Sequence, residues 1–261
     1  MKIRFELCKP TSIEEIEKLD LKKYVLEEKM DGSRVLVFVK NDRVTSIENR
    51  SGFENKDKYS NIKKVEVGTA ILDCEIVVLK DDRSQLNYLQ QSENWDKAIL
   101  MVFDIIQLDR SDLRRKTQLD RRRILEDNLK ESDNVKLVKQ HSDFQKLWKH
   151  IKANKKEGII LKNKLGQYIG NRSGNWLKLK NFKEVILEFS CFEENDKGIT
   201  LTHNNHTHRV AVNGFKAEEV KSKLKNGNIL VECQYLRKTD KERYTQITFK
   251  RIVEVDNGYV G

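Results

Sequence analysis

The feature that most constrains this chain is a polar turn, Glu28-Lys29-Met30-Asp31-Gly32-Ser33-Arg34. It lies between two apolar runs of strand length, Tyr24-Val25-Leu26 and Val35-Leu36-Val37-Phe38-Val39. Short runs rich in Val and Leu favour strands over helices. A lysine at a strand end, with a carboxylate two residues on and an arginine five on, is more than a turn needs. What such a lysine can do depends on the groups that the rest of the chain sets around it.

The remaining pattern is that of a mixed chain. Ile3–Leu7 alternates as a short strand, and Ser12 with Glu15 forms a capping box for a helix reaching about Leu19. Tyr24–Glu28, Val35–Lys40 and Arg43–Ile47 read as an antiparallel meander closed by the polar turn Asn49-Arg50-Ser51-Gly52. Residues 70–79 read as a central strand with Asp73 and Glu75 two apart, hence on one face. Ser84–Gln91 is expected as a short helix, and Ile99–Ile106 as a buried strand carrying Asp104. Segment 109–131 is charged and helical; its Arg114-Arg115-Lys116 and Arg121-Arg122-Arg123 runs fit a solvated face and a phosphate-facing patch equally well. Ser142 is expected to cap a helix whose Phe144, Leu147, Trp148 and Ile151 fall at helical spacing, which makes Trp148 core rather than a stacking platform. Glu157–Lys162 and Trp176–Lys180 read as strands around the glycine-rich hairpin Gly166–Gly174.

Past Phe182 the character changes. Five strands and one helix in under eighty residues suggest a small closed barrel of the oligonucleotide-binding type. The expected division is 1–182 and 183–261. The net charge of +10 divides unevenly: residues 184–261 carry twelve basic and twelve acidic side chains, so the whole excess lies in 1–183. A basic larger part fits an acidic partner such as a nucleic acid.

Other classes recede. No run of eighteen apolar residues exists, and the N-terminus carries charge where a signal peptide would be apolar. The expectation is a soluble, cytoplasmic protein without a membrane. Cys8, Cys74, Cys191 and Cys233 are scattered and form no CxxC pair, so neither a disulfide framework nor a zinc site is suggested. The cluster His203, His206 and His208 reads as a solvated hairpin turn, a transition-metal site being the lesser alternative.

Lysine becomes a nucleophile when burial or neighbouring cations lower its pKa. Arg34, Arg50, Lys178 and Lys180 are available cations, and they suit a triphosphate; Glu75 and Glu157 offer oxygens to Mg²⁺.

Lys29-Met30-Asp31-Gly32-Ser33-Arg34 resembles the nucleotidyl-lysine motif of the covalent nucleotidyltransferases, the superfamily of ATP-dependent DNA ligases, RNA ligases and mRNA capping enzymes. In family order there follow Asn49-Arg50-Ser51-Gly52, Leu72-Asp73-Cys74-Glu75, Val102-Phe103-Asp104, Glu157 to Lys162 and Trp176 to Lys180. The resemblance implies an α+β nucleotidyltransferase domain of antiparallel sheets with flanking helices, followed by a small OB-fold β-barrel domain. It implies that Lys29 takes AMP from ATP as a phosphoramidate, passes it to a 5′-phosphate at a nick in duplex DNA, and is followed by attack of the 3′-hydroxyl. Arg34 and Arg50 would contact the nucleotide and the 5′-phosphate side, and Phe103 would stack on adenine. Glu75 would hold the ribose or the metal, and Glu157 the metal, with Mg²⁺ the cofactor and Mn²⁺ its substitute. Lys178 and Lys180 would touch the α-phosphate. Glu27 and Lys162 are candidates for base and phosphate contacts, and Arg172 for nucleotide or DNA. In the barrel, Arg243 and Arg251 resemble a terminal motif that orients pyrophosphate, although Thr245 and Ile247 depart from its usual proline and aromatic.

The expected protein is a minimal DNA ligase, a monomer without an obligate protein partner. It would lack an added N-terminal DNA-binding domain and a long latch hairpin, and would hold its duplex by the basic face of 1–183. An RNA ligase is the alternative within the superfamily, an mRNA guanylyltransferase a more distant one. Outside it stands a nucleic-acid-binding module without activity.

Overall fold

The computed structural model describes residues 3–52, 56–203, 208–238 and 243–253. The chain forms two compact units, Met1–Lys180 and Asn181–Gly261.

The first unit contains two large sheets, besides the short hairpin Leu79–Lys80 with Arg83–Ser84. One is built from β1 (Lys9–Pro10), β2 (Tyr24–Glu28) and the neighbours that later chain supplies; the other from β3 (Ser33–Lys40), β4 (Arg43–Asn49), β5 (Ala70–Val77) and β6 (Ile99–Leu108). After α1 (Ile13–Ile16) the long helices are α2 (Gln118–Asn128) and α3 (Phe144–Ala153). Further strands of the two sheets are β7 (Val135–Leu137), β8 (Gln140–His141), β9 (Gly158–Asn163) and β10 (Trp176–Lys180), with the short Ser111–Asp112 paired to β6. The first sheet has the order β1-β10-β9-β2-β8 and the second β7-β6-β5-β3-β4. Both are mixed rather than wholly antiparallel as expected, because β1 runs parallel to β10 and β7 parallel to β6.

The expected meander is overturned at its first turn. β2 pairs with β9, and β3 with β5, so residues 29–32 cross from one sheet to the other. The two strands bury their apolar sides in different cores. Leu26 packs with Phe144, Leu147 and Ile151 of α3, whereas Val35, Val37 and Val39 pack with Leu72, Cys74 and Leu100. A hairpin would have put both faces on one core. The crossover admits only glycine at position 32, where an added Cβ would lie 2.1 Å from the Ile76 carbonyl oxygen.

The helices follow their caps. Ser12 and Glu15 form the full capping box, but α1 ends at Ile16. Asp143, not Ser142, caps α3 by accepting from Lys146 N at 2.9 Å. Its Trp148 packs on the core side, stacked on Phe144. α2 occupies only the middle of segment 109–131, and two arginines of its run are held inside the fold while Arg123 is exposed. Arg121 is fully buried and doubly hydrogen-bonded to Asp104 of β6, at 2.8 and 2.9 Å. Arg122 binds Glu126 and the Val138 carbonyl.

The second unit is a five-stranded sheet of β11 (Lys183–Asn195), β12 (Gly198–His203), β13 (Arg209–Asn213), β14 (Ile229–Tyr235) and β15 (Thr248–Val253), in the order β13-β12-β11-β14-β15. A helix, α4 (Phe215–Leu224), joins β13 to β14. The 13-residue β11 pairs with β14 through its first half and with β12 through its second, with a bulge between Phe189 and Cys191. Such a bulge bends a strand. The sheet curls until β13 and β15 approach each other around Phe189, Leu201, Val210 and Val231, giving a near-barrel of the OB type. Of the three histidines noted in the sequence, His206 lies outside the described residues. No helix among the described residues is long and apolar enough to cross a membrane.

Asp104 and Arg121 are both wholly buried. Replacing Asp104 with Ala strands the guanidinium without its counter-charge, so unfolding free energy should fall by about 3–5 kcal/mol. A shift of the denaturant midpoint at constant slope measures it.

Candidate active site

Strand alternation decides what faces the space between the two sheets of the first unit. In the first sheet the register pairs Trp176 with Lys162, Lys178 with Ile160, Lys180 with Gly158, and Ile160 with Glu27. Paired residues share a face, so Trp176, Lys178, Lys180, Lys162 and Glu27 look one way, while Leu161, Leu177 and Leu179 back onto α3. From the second sheet, Arg34, Asp73, Glu75 and Phe103 contribute to the same space.

Lys29 stands at its rim. Its backbone N–H continues the β2 ladder by donating to Gly158 O at 2.9 Å. Its ammonium donates to Glu157 Oε2 at 2.9 Å and leaves 22 % of the side chain exposed. Glu157 is shared, since Lys180 Nζ lies 3.6 Å from its other oxygen. Gly158 must be glycine: a Cβ there would fall 2.0 Å from Leu179 O. The turn after the lysine is pinned by Asp31, whose carboxylate accepts from Leu86 N at 3.2 Å while its N–H donates to Ser84 Oγ at 2.9 Å.

Burial lowers the pKa of Lys178, with Lys180 next in effect, and burial likewise lowers that of Lys180 against the pull of Glu157. Burial also pushes the Glu75 carboxyl up to about 7, against the attraction of Lys29 and Arg34. Glu75 accepts from Gly32 N at 3.2 Å. Glu75 and Glu157 are the two carboxylates of this site that lie near Lys29 in charge or contact. Among the described residues no group of three or more His, Cys, Asp or Glu could hold a metal. Mg²⁺ takes one or two carboxylates and completes its shell with phosphate and water, so Glu75 and Glu157 could hold it alongside a bound nucleotide.

Three candidates, Arg34, Lys162 and Glu27, are placed otherwise than expected. Arg34 makes a bidentate pair with Asp73 at 3.0 and 2.6 Å and donates to Glu6 O at 2.7 Å. It lies beside the rings of Phe5, Phe103 and Trp176. Burial disfavours its charge, but Asp73 more than compensates and holds the guanidinium above its usual pKa. Three of its donors are spent inside the fold, so it holds structure in place rather than facing a phosphate. Lys162 is likewise enclosed: it is 1 % exposed, paired with Glu27 at 2.7 Å, and it donates to Phe103 O at 2.8 Å. Glu27 in turn accepts from Gln140 at 3.0 Å.

Phe103 is 9 % exposed and meets Trp176 edge-on at 5.9 Å. Arg50 is exposed in the turn after β4, and Arg172 is exposed in the loop between β9 and β10. Arg243 and Arg251 belong to the second unit. Arg251 sits on β15, 73 % exposed and 2.5 Å from Glu232, whose hydrogen bonds from Lys250 and Arg251 bring its pKa down to about 2. Sequence reasoning missed Glu6 and Tyr168. Tyr168 donates to Asp73 at 2.7 Å, and Glu6 is wholly buried. Each is an ordinary residue in sequence, and only tertiary pairing sets it apart.

Residues 6–180 match the family model described as ATP dependent DNA ligase domain. Among curated proteins the chain is similar to DNA ligase 2 of Korarchaeum cryptofilum, 26 % identical over 178 residues, covering 59 % of this chain and 30 % of that protein. It is also similar to the multifunctional non-homologous end joining protein LigD of Mycolicibacterium smegmatis, 29 % identical over 182 residues, covering 66 % of this chain and 24 % of that one. The chain thus spans about a third or less of these relatives. Among solved structures, a Lig E DNA ligase superposes with a TM-score of 0.70 at 15 % identity, over 97 % of this chain and all of that one. The ligase domain of M. tuberculosis LigD gives 0.64 at 17 %, over 96 % and 95 %. At these identities the superpositions speak for the fold of both units.

Glu75 supplies a pH test. Its folded pKa of about 7 lies above the ordinary 4.5, so the folded state binds the extra proton. Stability is fully present below the ordinary value and is lost as pH rises through about 7. Glu75→Gln should flatten that slope and stabilise the free protein above pH 7, as thermal melts from pH 5 to 8 would register. An unchanged slope would count against a buried, protonated Glu75.

Proposed function

The chain belongs to the ATP-dependent DNA ligase domain family, and we propose that it seals nicks in duplex DNA through a covalent lysyl-AMP. Lys29 Nζ, as the free amine, attacks the α-phosphorus of ATP; a P–N bond forms, the bond to the β-phosphate oxygen breaks, and pyrophosphate leaves. A 5′-phosphate oxygen at the nick then attacks the same phosphorus and frees the lysine. Finally the 3′-hydroxyl attacks the 5′-phosphorus, forming the phosphodiester, losing its proton and expelling AMP. All three steps are phosphoryl transfers driven by position and charge.

The observation that carries this reading is the convergence on Lys29 of Glu157 and Lys180, two groups well over a hundred residues away in sequence. Lys178 and Lys180 share one face of the strand that flanks Gly158, and they serve as the α-phosphate contacts. Phe103 offers the ring against which adenine lies. Arg50 and Arg172, both exposed, serve the DNA side, and Arg243 and Arg251 the pyrophosphate. Glu75 and Glu157 would hold Mg²⁺, or Mn²⁺ in its place, and the ion would supply neutralisation of phosphate charge. The protein acts as a monomer, since a nick has no two-fold symmetry that calls for a dimer.

Incubation with labelled ATP and Mg²⁺ should leave a covalent AMP adduct that Lys29→Ala abolishes. The wild type should then join a nicked DNA duplex in preference to one with RNA on either side of the break. Preference for RNA would move the assignment to RNA ligation, and an unlabelled wild type would reduce the chain to a binding module. Because the basic excess lies in residues 1–183, duplex affinity should fall by roughly 10³ or more between 50 and 200 mM salt if six or more phosphates are met.

A further inference from the structure

Loop 164–175, between β9 and β10, carries Arg172 at the surface and is held with unusual completeness. The Glu6 carboxylate, wholly buried, accepts from Ile169 N and Gly170 N at 2.8 Å each, and from the Ser173 hydroxyl through its other oxygen. Leu7 N donates to Asn171 O at 2.7 Å, directly before the arginine. Tyr168 ties the loop to Asp73, and Asp73 is the partner of Arg34, which reaches back to the Glu6 carbonyl. Gly170 sits at φ +80, with Arg4 O 2.9 Å from where a Cβ would be, so the loop lies directly against the N-terminal segment.

Neither the lysine chemistry nor the core requires this. Glu6 touches no group proposed to meet ATP, and burying a carboxylate is costly unless its oxygens are satisfied. Its three hydrogen bonds hold the backbone before Arg172 and the side chain of the residue after it. The cations on this surface suit a nucleic-acid backbone: Arg172 is exposed, and so is Arg4, whose backbone lies against Gly170.

We infer that Glu6 is a positioning residue for the DNA-binding step: its carboxylate locks loop 169–173 so that Arg172 is pre-set against a phosphate of the nicked duplex. This rests on the ligase reading given above. A pre-set arginine loses little side-chain and loop freedom on binding, and that saving appears as affinity. Glutamine can take over the lock. Its carbonyl oxygen accepts from the two backbone N–H groups, and its amide donates to the Ser173 oxygen, since a hydroxyl can accept as well as donate. Alanine cannot.

The test combines ATP self-labelling of Lys29 with binding of a nicked DNA duplex by the intact chain at fixed salt. Glu6→Ala should weaken duplex binding about tenfold and Glu6→Gln no more than about twofold, with the loss falling on duplex affinity rather than on self-labelling. In an Arg172→Ala background, Glu6→Ala should cause no further loss, because the lock acts through that arginine. Ser173→Ala removes one of the three hydrogen bonds and serves where Glu6→Ala does not fold. It should weaken binding about threefold, again only with Arg172 present. Additive losses, equal damage from Gln and Ala, or wild-type affinity in the folded alanine variants would overturn the inference while leaving ligation intact. A wild type that neither self-labels nor binds the nick overturns both.

Discussion

The spacing of the two sheets rests on Lys162. From β9 in the first sheet it pairs with Glu27 of β2 and donates to the carbonyl of Phe103 in the second. Its ammonium lies 4.7 Å from the Phe103 ring and 4.4 Å from that of Trp176. A charge so enclosed is tolerated only with a counter-charge and full hydrogen bonding. The same rule applies to its neighbours. Arg34 with Asp73, and Arg121 with Asp104, repeat the arrangement beside aromatic rings. These pairs are poor sources of net stability, yet each accepts few geometries, and together they fix where Phe103, Glu75 and the lysines of β10 stand.

That division between holding and reacting separates residues which the sequence places in one class. Arg34 and Lys162 are spent within the fold, whereas Lys29, Lys178 and Lys180 keep part of their side chains toward solvent. The sequence places Arg34, Lys162, Lys178 and Lys180 alike on phosphate or nucleotide, because a cation near a reactive lysine has the same letter whether it faces a ligand or a carboxylate. The difference is set by Asp73 and Glu27, which sit on strands distant in sequence from their partners.

Much of the rest was legible. Family membership rested on six motifs in order. The strands and the change of character after Phe182 followed from apolar runs and turn residues, which are local signals. What failed was pairing between elements. Two adjacent apolar strands with a short turn look like a hairpin, and nothing in Tyr24–Val39 states that Leu26 and Val35 enter different cores. Segment 109–131 failed for a related reason. A run of three arginines fits a solvated face and a phosphate patch equally well, and only the Asp104 carboxylate and the Val138 carbonyl reveal that two of them point inward. Glu6 carries no signal at all, since its partners are backbone N–H groups of a loop more than 160 residues away.

The crossover explains why a reactive lysine belongs at this place. A lysine in a hairpin would sit at the end of one sheet, with a mobile turn behind it. Here the chain must pass between two sheets in four residues, and three of them are constrained: Lys29 by the Gly158 carbonyl, Asp31 by Ser84 and Leu86, Gly32 by the lack of any room for a side chain. The backbone carrying Nζ is therefore fixed before any substrate arrives. A long, flexible side chain gains most from such an anchor, because placing one end removes much of the freedom that would otherwise be lost on reaching the transition state. The two glycines that make the anchor possible have no chemistry of their own. Their contribution is that two strands can approach at Ile76 and Leu179 closely enough for a carboxylate and two lysines to meet at one point.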